Sequence, residues 1–192
     1  METPLWLLLL WNTVGAVDGI YNHLYRYRLY AHASSFTEHI SHTLLSLGLS
    51  LTAIMLVFVN MGSVGFAFFL AVQAFLLIGT FWDGSIEFAS RAPLGGFPRH
   101  EYLEHTAIFL LHGAFLWAVV ANANQLVQGS GFGTFRWPPL PTFLLANAVV
   151  IVIGGLVMLF LHVYLLGVGH REIKKSPSRT QQELAVSNSM AT

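Results

Sequence analysis

Five apolar stretches restrict this chain more than any motif in it. They cover residues 4–19, 40–59, 64–82, 106–123 and 143–168, and each is near or above the ~20 residues a helix needs to cross a bilayer. Of 192 residues 55% are hydrophobic and only 9% are charged, so too little polar sequence remains to wrap five such segments in water. The expected fold class is an all-α integral membrane protein with five transmembrane helices. The first stretch has the length of a signal peptide, but only Glu2 precedes it and no basic residue does, so it is read as a retained helix.

Acidic and basic residues number 9 each, so net charge indicates no partner, and no basic, aromatic surface is organised for nucleic acid. There is no cysteine, which excludes disulfides and thiolate metal sites. The distribution of charge is more informative. Arg26, Arg28, Arg91, Arg99, Arg171, Lys174, Lys175 and Arg179 fall on one side of the expected helices, and only Arg136 falls on the other. The positive-inside rule then puts the polar loops 20–39 and 83–105 and the C-terminus in the cytoplasm. The N-terminus and the Gly-rich segment 122–142 face outward, with Trp137 as an interfacial anchor. The expected location is the plasma (inner) membrane. Residues 171–192 are polar and free of aromatics, and are expected to be a disordered tail.

Two polar segments share a pattern. "DGIYNHLYR" at 18–26 and "DGSIEFASR" at 83–91 each follow an apolar stretch. Each places Asp, then Asn or Glu, then Arg at i, i+4 and i+8, which is one face of a helix. Each is followed by Glu-His, Glu38-His39 and Glu104-His105, at the opening of the next apolar stretch. We read this as a parallel two-helix repeat, about 4–60 and 64–123, related by an axis along the membrane normal. The two copies form a four-helix bundle, the fifth helix at about 143–168 packs alongside, and residues 1–170 make one domain.

The repeat axis gathers the polar segments at the cytoplasmic face. The candidate metal ligands are Asp18, Glu38, His39, His42, Asp83, Glu87, Glu104 and His105. Without a cation between them these carboxylates repel, and Arg26 and Arg91 offset only part of the charge. Oxygen and nitrogen donors without sulfur suit iron, zinc or manganese. Bundles that hold two irons use carboxylates from two helices and Glu-x-x-His from two others. The plan here is similar, but the spacing is Glu-His or Glu-x3-His. Blander roles exist for single residues. Glu38 completes a capping box with Ser35, Glu101 after Pro98 complements a helix dipole, and His23 reads as a loop histidine.

His112 and His162 lie inside apolar stretches. His112 is about 10 Å below His105, and His162 about 9 Å inside the end of the fifth helix, so the two are candidates to meet beneath the carboxylates. They are the candidate cofactor-binding residues. The leading functional expectation is a membrane enzyme with one or two iron or zinc ions and a lipid-soluble substrate. Iron would give oxidation, and zinc would give hydrolysis through a metal-bound water. Alternatives are a proton- or metal-ion-coupled transporter, a haem protein of electron transfer with His112 and His162 or His42 and His105 as axial ligands, and a scaffold.

Overall fold

The structure is a computed structural model, and it describes residues 2–138 and 140–190. Helix α1 (Glu2–Val17) passes without a break into a π-helix, Asp18–Arg26. A tight connection follows, with Arg28 in the left-handed region (φ 50°) and a 3-10 turn at Leu29–Ala31. Helix α2 (Phe36–Phe58) leads into a short strand, β1 (Val59–Met61), and helix α3 (Ser63–Arg91) returns. A 3-10 turn at Ala92–Leu94 and two left-handed glycines, Gly95 and Gly96, reverse the chain into α4 (Arg99–Ala121). The short α5 (Ala123–Leu126) and β2 (Gly133–Phe135) precede the longest helix, α6 (Thr142–Lys175), and then α7 (Pro177–Met190).

Four helices among the described residues are long and apolar enough to span a membrane: Phe36–Phe58, Ser63–Leu94, Arg99–Ala121 and Thr142–Lys175. Helix α1 has 16 residues and falls short of that length by itself. The surface supports the membrane class independently. Leu110, Trp117 and Phe160 are each 70% exposed or more, and Val150, Ile153 and Val157 also face outward. Asp18, Glu38, Asp83, Glu87 and Glu101, with His23, His39, His112 and His162, are inside instead. An apolar exterior around a polar interior is the arrangement a bilayer requires and water penalises.

Helix α2 packs between α3 and α6, while α1 runs along α4. The apolar core joins them through Leu8 and Trp11 of α1, Leu56 of α2, Phe69 and Leu76 of α3, and Phe115 and Val119 of α4. Close packing, rather than escape from water, holds such helices together in lipid. At the end remote from the polar segments, β1 pairs antiparallel with β2 in the register Val59↔Phe135, Asn60↔Thr134, Met61↔Gly133. Backbone bonds from Gly62 N–H to Phe132 O (3.1 Å) and from Ser63 N–H to Gly129 O (3.0 Å) fold the Gly-rich segment onto the α2–α3 turn. No alternating pattern announces these three-residue strands, because their role is to close a loop.

Where the sequence leads to the expectation of a disordered tail at 171–192, the described residues 171–190 are largely helical, and 191–192 lie outside the described residues. Arg171–Lys175 complete α6, and Pro177–Met190 form α7, which packs against α3 and the Ala92–Leu94 turn. Glu183 ties α7 to the 32–33 connection. Glu183 accepts hydrogen bonds from the Ala33 N–H (3.0 Å) and Arg179 Nε (2.7 Å), and His32 Nδ1 lies 3.0 Å away. A single acid reaching a connection 150 residues away in sequence leaves no compositional trace.

Candidate metal centre

The π-helix sets the geometry of the site. Its backbone bonds join i to i+5, as in Tyr27 N–H to Asn22 O (2.9 Å). In an α-helix Asp18 and His23 would diverge. Here both are buried, with His23 Nε2 3.4 Å from Asp18 Oδ1. Asn22 is buried beside them and donates to Asp18 Oδ1 (3.0 Å) and Glu104 Oε2 (2.7 Å). The ring of His23 meets that of His42 edge-on, with centroids 3.9 Å apart.

Helices α2, α3 and α4 contribute at ordinary α-helical spacing. Glu38 and His42 share one face of α2, Asp83, Glu87 and Arg91 share one face of α3, and Glu101 and His105 share one face of α4. The contacts then cross between helices. His42 Nε2 is 3.2 Å from Asp83 Oδ2. His105 Nε2 is 2.7 Å from Glu87 Oε1 and 3.6 Å from Asp18 Oδ2. Yet His23 Nε2, His42 Nε2, His105 Nε2, Asp83 Oδ1 and Glu87 Oε1 are all buried without an aligned hydrogen-bond partner. Three overlapping groups have ligand atoms within 4.8 Å of one another: His23, Glu38, His42 and Glu87; Asp18, His23 and His105; and Asp83, Glu87 and His105.

An ion-pair layer lies beside these groups. The Arg91 guanidinium is fully buried (0% exposed) and donates to Glu38 Oε1 from both Nε (3.0 Å) and Nη2 (2.8 Å). Its Nη2 also bonds Glu101, and its carbon lies 4.4 Å from the centre of the Tyr27 ring. Ser90 donates to Glu38 as well. The Ser35 hydroxyl bonds Leu29 O, so the capping box expected from Ser35 and Glu38 does not form. Buried carboxylates at Asp18, Glu38, Asp83, Glu87 and Glu101 face one buried guanidinium and the imidazoles of His23, His42 and His105. Burial first, then repulsion from His42, Arg91, His105 and His162, holds His23 well below the usual imidazole range. A neutral imidazole is the form that binds metal.

The structure thus brings together Asp18, Glu38, His42, Asp83, Glu87 and His105 of the expected ligands, and leaves His39 and Glu104 outside these groups. Glu104 is occupied by Asn22. The His39 ring stacks on His162 with centroids 4.8 Å apart, and its Nε2 is 3.3 Å from the His162 carbonyl. His112 stacks on Trp11 at 4.1 Å. The two expected cofactor residues therefore meet different neighbours, His162 between α6 and α2 and His112 between α4 and α1. Arg26 and Arg91 also diverge. Arg26 is exposed and donates to His100 Nε2 (2.9 Å).

Two residues of the site are absent from the expected ligand set. Glu101 carries a visible signal, since Glu101-x3-His105 repeats the spacing of Glu38-x3-His42. His23 carries none, because nothing in the sequence announces a π-helix. The chain matches no protein-family model, no curated protein and no solved structure.

Proposed function

We propose that this chain is a membrane metalloenzyme that holds two divalent cations at the polar end of its bundle and acts on a lipid-soluble substrate. The observation that carries the reading is the convergence of buried, unaligned imidazole nitrogens and carboxylate oxygens from four helical segments. Burying imidazoles and carboxylates in a membrane protein is costly unless charge partners or a cation offset it. Divalent cations bound to neutral imidazoles would offset the carboxylate charge that Arg91 leaves. Asp18, His23, His42, Asp83, Glu87 and His105 would be the ligands. Glu38 and Glu101, clamped by Arg91, would orient them from outside.

The contacts also favour the internal repeat. His42 of the first unit pairs with Asp83 of the second, and His105 of the second approaches Asp18 of the first. Each unit would complete the other's site. The excess of basic residues at this end supports a cytoplasmic orientation. Iron would make the enzyme an oxidoreductase, and zinc would make it a hydrolase.

The test is elemental analysis of protein purified in mild detergent, with a visible spectrum of the same sample. About two metal ions per chain are expected, with lower content in Asp83→Ala and His105→Ala. No bound metal in the wild-type protein, or unchanged content in both variants, would remove the reading.

A further inference from the structure

A second site lies apart from the metal ligands. The 28–33 connection, the end of α6 and the start of α7 enclose a pocket of about 440 Å³. That volume is in the range of small-molecule and headgroup sites. Its polar wall carries Arg28, His32 and Arg179, and its apolar wall carries Tyr164, Leu165 and Val168 of α6. Tyr164 is largely exposed on a membrane-spanning helix, so this wall is continuous with the surface that faces lipid.

The charges in the pocket are unequally committed. Glu183 is engaged by His32, Arg179 and the Ala33 N–H. Glu172 accepts from Lys175 Nζ at 2.9 Å. The hydrogen bond of Arg28 runs from Nε to Tyr30 Oη (3.1 Å) rather than to a carboxylate. Arg28 is also the one described non-glycine residue with positive φ. Such backbone costs free energy and persists where the surrounding structure enforces it. Arg171, Lys174 and Lys175 continue the basic character along the last turns of α6. A cluster of basic residues at the end of a membrane helix, beside a pocket with one apolar wall, matches the chemistry of an anionic lipid headgroup.

We propose that this pocket binds the phosphate headgroup of an anionic phospholipid, with Arg28 as the principal contact and the acyl chains along Tyr164, Leu165 and Val168. A free phosphate would use the same cations but has no use for the apolar wall. The site is independent of any metal bound in the bundle.

The experiment titrates full-length protein in neutral detergent with phosphatidylglycerol, phosphatidylcholine or inorganic phosphate, and follows binding by native mass spectrometry and by the midpoint of thermal unfolding. Selective binding of phosphatidylglycerol with a raised midpoint is expected. Arg28→Gln should bind it about fivefold more weakly, and Arg28→Lys should retain most of the affinity. Unchanged metal content and helical content in both variants would show that the fold is intact. Equal effects of phosphatidylcholine, full retention of affinity in Arg28→Gln, or the same rise with inorganic phosphate alone would each overturn the proposal.

Discussion

His23 lies 3.4 Å from Asp18 and 3.5 Å from Glu101, a position that α-helical spacing would not give it. If it is a ligand, His23→Ala lowers bound metal as far as Asp83→Ala does. Glu104→Gln, at a residue held by Asn22, leaves metal content unchanged. Elemental analysis of the purified variants distinguishes the two, and the reverse pattern would favour ligands chosen by the Glu-His spacing. Arg91 makes a different prediction. Removing its guanidinium strands Glu38 and Glu101, both fully buried, without a cation. Arg91→Ala should therefore destabilise the protein by about 3–5 kcal/mol, the usual cost of breaking a buried pair from one side. Arg91→Lys should recover only part of this, because an ammonium cannot form the two-pronged contact to Glu38. Denaturant unfolding in detergent measures both. The shared faces of Asp83 with Glu87 and of Glu38 with His42 are legible in the sequence, because α-helical spacing alone dictates them. The inward position of His23 is not, because it depends on a backbone geometry that no residue type specifies. Glu101 follows Pro98 and looks, by its neighbours in sequence, like a residue that only complements a helix dipole. Its partner, Arg91, lies across a turn, where local sequence gives no sign of it.

At the scale of elements, apolar length is the most legible property, and α2, α3, α4 and α6 follow it. Their polar ends follow from length as well. Helix α6 has 34 residues, about 51 Å at 1.5 Å per residue, against a hydrocarbon core of about 30 Å. Its last turns must emerge, and they carry Arg171, Lys174 and Lys175. Length and composition do not reveal contact between distant segments, as in the β1–β2 pair and α7. Helix α7 docks in part through a carboxylate, which makes its docking sensitive to pH. Burial raises the Glu183 carboxyl, but hydrogen bonds from His32, Arg179 and the Ala33 N–H outweigh it and leave the group below the usual range. A lowered acid stabilises the docked state above the ordinary carboxyl pKa. That stabilisation disappears as pH falls through the lowered value. Helix α7 should therefore be protected at pH 7 and released under acid conditions, below about pH 4. Glu183→Gln should release it at neutral pH. Hydrogen exchange across residues 177–190 measures both, and protection that persists in Glu183→Gln would show that α7 docks by other contacts. Glycine has a part in the same corner. A Cβ at Gly169 would strike the Tyr30 carbonyl, so only glycine lets the 28–34 connection lie against α6.

For the whole molecule, α1 decides how many times the chain crosses the bilayer. Its 16 residues are short for a span, yet it continues into nine π-helical residues that end at the polar cluster. Its other end is remote from that cluster. Leu5 and Leu8 line a shallow groove with Val57 near the end of α2 and Leu144 at the start of α6. Helix α1 therefore covers the same height of the bundle as helices that satisfy the length requirement. Trp11 fills the middle, against His112 and Phe115 of α4. A helix packed this way would cross with its neighbours, placing the N-terminus on the side of the Gly-rich loop and opposite α7. The chain has no cysteine, so single introduced thiols report each side without background. Thr3→Cys, Ser130→Cys and Ser178→Cys all lie at exposed positions. In sealed cells an impermeant maleimide should label Thr3→Cys and Ser130→Cys, and should reach Ser178→Cys only after permeabilisation. Labelling of Thr3→Cys together with Ser178→Cys would give four crossings and a re-entrant α1, and would break the parallel repeat, which needs α1 and α3 to run in the same direction. Labelling of Ser178→Cys alone in sealed cells would keep five crossings and invert the orientation, placing the proposed metal site outside despite the excess of basic residues at that end.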